Sequence, residues 1–426
     1  MAMKVKLFFQ LGISGLRLCL LPLFVLLLCC SSQKSMAQKR IGFNLLQGKK
    51  RASVSFELIN NLIIIPMQID EKVQLKFILD TGAQATILTE KAFGDAIGLD
   101  YVRSIRIAGP GIANDVEAFV APGVQLNLSE EIQGDYLSLL VLKDDYLQLN
   151  ENLGDEVYGI IGFDLFSRFI VEINYDNYKV TFYDPKYYRA RKKRYYLDIT
   201  LADTKPYVQS KLYQQSRPLD IRLMVDTGAS HAVLLDVFNT DDLVLPETTI
   251  SARLGRGLGG EIPGLMGRLP QYSLGNFTFE DVLVSIPELG AYSDDIKRGS
   301  RHGTVGGELL NRFTPTFDYF NKKLYLRKGR NYKDPFEFDM SGLTLGVVGE
   351  ELDTLVVRRV QEETQADLAG IQKGDTVLMI NGKTLNNSKF SEINSLLREK
   401  PGYNIKVTLK KGDKTEVKRF KLERRI

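Results

Sequence analysis

Apolar residues come in short runs cut by turn-forming residues, which is the rhythm of strands rather than of helices. Leu62-Ile63-Ile64-Ile65 and Lys179-Val180-Thr181-Phe182 are typical, and Gly, Asn and Asp turns separate such runs. Two further apolar runs, Phe77-Ile78-Leu79 and Leu223-Met224-Val225, end in the same four letters: Asp80-Thr81-Gly82-Ala83 and Asp226-Thr227-Gly228-Ala229. Later in each half comes an apolar stretch rich in glycine. Tyr158-Gly159-Ile160-Ile161-Gly162 places Gly162 82 residues after Asp80, and Gly303-Thr304-Val305-Gly306-Gly307 places Gly306 80 residues after Asp226. A strand pair follows each, through Tyr175-Asp176-Asn177-Tyr178 and through Phe320-Asn321-Lys322-Lys323. The pattern predicts two mostly β units with one plan.

The last 85 residues change character. Strand-like Leu355 to Val360 precedes Ala366-Asp367-Leu368-Ala369-Gly370-Ile371 and Lys373-Gly374-Asp375-Thr376-Val377-Leu378-Met379-Ile380-Asn381-Gly382. A helix over Phe390 to Leu397 and a strand over Asn404 to Lys410 are predicted to close it.

The start of the chain reads as an address. Lys4, Lys6 and Arg17 precede an apolar run from Leu18 to Cys30, and Ser35-Met36-Ala37 supplies small residues for cleavage after Ala37. The run is short of the roughly 20 residues that a stable bilayer-spanning helix needs, so no transmembrane span is expected in the mature chain. Export is expected, with the periplasm, the cell envelope or the extracellular space as destinations. Cys19, Cys29 and Cys30 all fall in this leader, so the mature chain would hold no disulfide or thiol chemistry.

Composition adds limits. At 426 residues with 44% hydrophobic and 25% charged, the chain has room for two or three globular domains. A net charge of +4 gives no reason to expect nucleic acid as a partner. The one basic cluster, Tyr187 to Tyr196, is expected to be a solvated connection between the two units.

The chemistry follows from the paired carboxylates. A carboxylate on a tight turn after a buried strand is held rigidly, and Gly82 and Gly228 permit a second backbone to come close. Two carboxylates sharing one site cannot both ionise, so one remains an acid and the other a base. Such a pair can activate a water and protonate a carbonyl oxygen. Thr81 and Thr227 carry hydroxyls able to brace each turn against the opposite backbone. With only His231 and His302 and no His-Glu-x-x-His run, a zinc hydrolase lacks its ligands, and no metal or cofactor is expected. No Gly-x-Ser-x-Gly elbow surrounds any serine. Gly255, Gly257 and Gly260 satisfy Gly-x-Gly-x-x-Gly, but Pro263 and Gly264 follow where a nucleotide fold needs a helix.

On these residues, from about 58 to 330, the chain resembles the retropepsin-like and pepsin-like aspartic proteases. Their pattern is apolar-apolar-Asp-Thr/Ser-Gly-Ala/Ser followed in each lobe by apolar-apolar-Gly, here Ile160-Ile161-Gly162 and Val305-Gly306. Gln84, where Ser230 stands in the second copy, departs from it. The resemblance implies two pseudo-symmetric β-barrel-like lobes, a cleft between them, and peptide or protein substrates cut by Asp80 and Asp226. It also implies glycine-bearing flaps, with candidates at Gly109 and Gly111 in Ala108 to Ile112, and at Gly257 and Gly259 in Gly255 to Gly260. Residues 366–382 resemble bacterial PDZ domains, small α+β modules that add a C-terminal peptide as a strand to a sheet edge. By that resemblance Leu345-Gly346-Val347 form the carboxylate-binding loop, and Ile393, Leu396 and Leu397 belong to the adjoining groove.

The expected organisation is a signal peptide at 1–37, an N-terminal extension at 38–57, a first lobe at 58–188, a second at 189–335 and a PDZ domain at 340–426. An endopeptidase is the function that this implies. A catalytically inactive peptide-binding protein on the same fold is the alternative, and a dimer formed by pairing lobes between chains is a third arrangement.

Overall fold

A computed structural model describes residues 41–111, 115–214, 217–291 and 301–426. The leader read at 1–37, with its three cysteines, and Ile112 of the first flap lie outside these residues. The fold is mostly β, 51% strand and 10% helix.

The two halves repeat one construction. In the first, a nine-stranded sheet is centred on the strand Val73–Leu79, which pairs antiparallel with Leu62–Ile69 and parallel with Val157–Ile161. In the second, an eight-stranded sheet is centred on Arg217–Val225, which pairs antiparallel with Lys205–Gln214 and parallel with Gly303–Val305. Ile161 lies opposite Leu79 and Val305 opposite Val225. The matched spacing in the sequence is therefore the spacing of a central strand from its parallel partner. The last three residues of each central strand are apolar because they are covered on both faces: Phe77, Ile78, Leu79, Leu223, Met224 and Val225 are all buried. A Cβ on Gly159 would overlap the Phe77 ring, so the glycine leaves the space that the ring fills.

A six-stranded sheet joins the halves. The hairpin of Ile170–Asn174 with Lys179–Tyr183 meets the hairpin of Phe313–Asp318 with Lys323–Lys328 at the pair Val171–Phe317. Phe166 packs edge-on to Phe317 and stacks on Tyr319 behind this seam. Residues 51–55, read as part of an extension, form an edge strand of this sheet, and 42–45 pair with the strand Ile132–Leu142. The basic connection is solvated at Arg189, Arg191, Lys192 and Lys193. It is pinned at Arg194, whose guanidinium pairs with Glu172 at 3.1 Å and donates to Thr316 at 2.9 Å, spanning both halves.

The C-terminal unit is a five-stranded antiparallel sheet running in chain order from Leu343–Val348 to Lys414–Lys421, with short helices at Gln365–Leu368 and Phe390–Ser395. Thr364 caps the first of these, accepting from the Asp367 N–H. Among the described residues no helix is long and apolar enough to cross a membrane.

Candidate active site

Each Asp turn is held by the strand that the glycine-rich stretch supplies. The Asp80 N–H donates to Ile161 O at 2.8 Å, and the Asp226 N–H donates to Val305 O at 2.9 Å. Beyond these strands the Phe163 N–H donates to Ala83 O (3.0 Å) and the Gly307 N–H to Ala229 O (2.6 Å). A Cβ on Gly162 would run into the carbonyl oxygen of Asp80, and one on Gly306 into that of His231. Glycine at the end of the apolar-apolar-Gly element is thus what lets the chain pass this close.

The threonines lock the two turns together. The Thr81 hydroxyl donates to Val225 O at 2.7 Å and accepts from the Thr227 N–H at 3.0 Å. The Thr227 hydroxyl donates to Leu79 O at 2.7 Å and accepts from the Thr81 N–H at 3.0 Å. All four bonds cross from one lobe to the other, and both side chains are buried. The bracing expected from the sequence is therefore reciprocal.

With the turns so joined, the carboxyl groups of Asp80 and Asp226 are brought together on the cleft floor. Each also accepts from its own turn, Asp80 from the Gly82 N–H (2.6 Å) and Asp226 from the Gly228 N–H (2.9 Å). A Cβ on Gly228 would overlap the Asp80 carboxyl, and one on Gly82 would stand 3.0–3.2 Å from oxygens of both acids. Burial on the cleft floor raises the Asp80 carboxyl well above the ordinary value of 3.8, and the charge and hydrogen bond of Asp226 raise it further. The pair therefore holds a proton at pH values where a solvated Asp has lost it.

That retention has a consequence for stability. An acid whose pKa is raised by folding contributes its full stability below the unfolded value near 3.8, and the contribution is lost as pH rises toward the folded pKa. Asp80→Asn keeps the neutral shape at every pH. It is expected to melt at a higher temperature than the wild-type protein at about pH 7, with the gap closing at about pH 3. Calorimetry across that range checks the trend.

Gln84, the residue that departs from the protease pattern, has a partner. Its side-chain amide donates to Asp203 O at 2.8 Å, in the turn between the strands Thr200–Ala202 and Lys205–Gln214. Across the pseudo-twofold axis, Asn61 of the first lobe's corresponding turn donates to Ser230 O at 3.0 Å. Each lobe's hairpin turn thus reaches the other lobe's Asp turn, with the long side chain on opposite partners. Asn61 escaped the sequence reading, although aligning the repeats puts Asn60-Asn61 beside Asp203-Thr204.

Both flap candidates are hairpin ends. The second, between Thr249–Gly257 and Gly260–Leu274, meets the first, which follows Arg103–Ile107. The Gly259 N–H donates to Pro110 O at 2.8 Å. A Cβ on Gly257 would strike that same oxygen, a Cβ on Gly109 the Leu258 side chain, and a Cβ on Gly111 the backbone of Gly259. The Gly-x-Gly-x-x-Gly spacing is the tip of this hairpin, with no helix after it. Flap residues Gly109 and Gly257 line a cavity of about 740 Å³ with Asp80 and Asp226 on its wall.

Residues 216–307, around the second Asp-Thr-Gly turn, match the family model of an aspartyl protease, and residues 338–422 match that of a PDZ domain. The chain carries an aspartyl protease domain and a PDZ domain. No curated protein matches it.

Several residues of the protease cleft escaped the sequence reading. Lys205, Met224 and Arg301 line the cavity. Tyr319 is buried near the dyad, whose charges and the burial itself hold its phenol protonated far above its usual range. His231 also lines the cleft, and enclosure lowers its imidazole to about 4, so it is neutral in ordinary buffers. His302 lies outside the cavity lining and accepts from the Arg222 N–H at 3.0 Å. Among the described residues no cluster of His, Cys, Asp and Glu could hold a metal ion.

The PDZ domain packs on both lobes. Leu345, Gly346 and Val347, read from the sequence as a carboxylate-binding loop, lie inside the edge strand Leu343–Val348. Leu345 and Val347 both point into the core, and that burial fixes the segment as a strand. Ile393, Leu396 and Leu397 are buried as well. The first lobe's helix Leu149–Leu153 packs against this edge strand. Gly154, just past that helix, abuts Phe390 so closely that a Cβ would overlap the ring. Arg358 pairs with Glu151, and Lys389 with Glu57 at 2.6 Å. On the other lobe, Gln361 donates to Ser251 O (3.0 Å) and Arg268 to Ile426 O (3.1 Å). Leu343, Thr344 and Leu345 share the cavity that holds the dyad.

Proposed function

We propose that the protein is a single-chain aspartic endopeptidase that hydrolyses peptide bonds with one water held between Asp80 and Asp226. The observation that carries this reading is the pair of carboxyls brought together on the floor of a flap-covered cleft, held by four reciprocal threonine bonds.

The coupled pair retains one proton. With that proton on Asp80, Asp226 is the base. Asp226 takes a proton from the water as its oxygen bonds to the amide carbon, and Asp80 gives its proton to the carbonyl oxygen. The result is a neutral tetrahedral diol. Asp226 then protonates the amide nitrogen as the C–N bond breaks, Asp80 recovers a proton from a diol hydroxyl, and acid and amine leave. The flaps hold an extended substrate over the dyad and exclude bulk water.

The contact of Leu149–Leu153 with the PDZ edge strand favours recognition of a chain that enters from the shared cavity, which Leu343 to Leu345 border. The leader read in the sequence supports export to the periplasm or cell envelope as the setting.

The test is incubation of the intact protein with a diverse peptide library, with cut sites read by mass spectrometry. Internal cleavage that a statine-type peptide blocks is the expected result. Turnover should also fall as pH rises through the elevated pKa of Asp80, because the proton donor is then lost. A library left intact at every pH contradicts the proposal.

A further inference from the structure

The two lobes are alike enough to compare residue by residue across the dyad, and they differ in charge. In the first lobe Ile64 lies opposite Ile78, so continuing that register by two residues sets Leu62 across from Asp80. In the second Tyr207 lies opposite Met224, and the same step sets Lys205 across from Asp226. The parallel partners give a second comparison. Val157 and Arg301 stand just ahead of the paired segments Gly159–Ile161 and Gly303–Val305, with a bulge after Val157.

At these places the first lobe is apolar. Leu62 and Val157 are buried with Ile59, Ile64, Ile78 and Leu153. The second lobe presents two cations to the cavity. Arg301 reaches the Met224 sulfur at 3.3 Å, which sets it over the central strand two residues before Asp226. Lys205 is partly buried: enclosure lowers its ammonium from the ordinary value, Arg301 repels it, and both dyad acids and Asp203 attract it. Among the described residues no carboxylate forms an ion pair with it. A partly desolvated ammonium lacking a close partner is costly, and an incoming carboxylate relieves that cost.

We infer that the subsite on the second-lobe side of the scissile bond receives an acidic side chain of the substrate, Asp or Glu, and that Lys205 is the residue that binds it. The first-lobe side, lined by Leu62, Ile160 and Leu153, takes an apolar one. This deepens the endopeptidase reading and rests on the same cleft.

The test uses matched peptides that differ only by Glu or Gln at each position flanking the cut, with amidated C-termini so that no terminal carboxylate engages the PDZ domain. Turnover and binding by fluorescence anisotropy are both measured on the intact protein. At one flanking position the wild-type protein is expected to favour Glu over Gln by about tenfold, mostly in KM. Lys205→Met should bring that ratio close to one, and Lys205→Arg should retain it. An unchanged ratio in Lys205→Met overturns the inference. So does an equal fall for Glu and Gln peptides, which would make Lys205 a modulator of the dyad instead. If Glu peptides bind more tightly through Lys205 and none is cut, the acidic subsite stands and the endopeptidase reading falls.

Discussion

Asp226→Asn is expected to lower peptide hydrolysis by about a thousandfold or more, with the fold unchanged. The amide keeps the shape of the side chain and can still accept from the Gly228 N–H. It cannot take the proton of the attacking water, so the nucleophile is never formed. Asp80→Asn is expected to do the same from the other side, because an amide does not hand a proton to the carbonyl oxygen. Initial rates on a cleaved library peptide, with circular dichroism on the same samples, check both. Near-normal turnover in either variant would remove the shared dyad from the mechanism.

The largest effect on stability is expected from Thr81→Val. The change preserves shape but deletes a hydroxyl that donates to Val225 O and accepts from the Thr227 N–H. Two buried backbone groups are then left without partners, and the expected loss is roughly 2 to 5 kcal/mol in urea unfolding. Thr227→Val should cost a similar amount, since its hydroxyl serves Leu79 O and the Thr81 N–H. Because loosening one side frees the other, the double variant should lose less than the two single losses combined. Thr81→Ser, which keeps the hydroxyl, should stay close to wild type. A Thr81→Val protein as stable as wild type would show that the crossed bonds contribute little.

Much of this site was legible in the sequence because it rests on local rules. Apolar runs ending in Asp-Thr-Gly predict strands that feed tight turns, and a glycine-ended apolar element at matched distance predicts the parallel partner. The flap glycines were likewise visible as hairpin tips. What the sequence hid depends on long-range register. Lys205 faces the dyad only because Tyr207 pairs with Met224, and the approach of Gln84 to Asp203 needs the lobes already assembled. Leu345 to Val347 were misplaced as a loop for a similar reason. A glycine between apolar residues suits either a loop or a strand, and the buried alternation of Leu345 and Val347 decides for the strand. The contact that the first lobe's Leu149–Leu153 makes with the PDZ edge strand is tertiary in origin, and no local pattern announces it.

The most direct test of the central claim is a crystal structure of the protein with a statine-type peptide bound. Two acids sharing one reaction centre predict the statine hydroxyl within hydrogen-bond distance of a carboxyl oxygen of both Asp80 and Asp226. An inhibitor whose hydroxyl meets only one of them, or that settles elsewhere in the cleft, would contradict it.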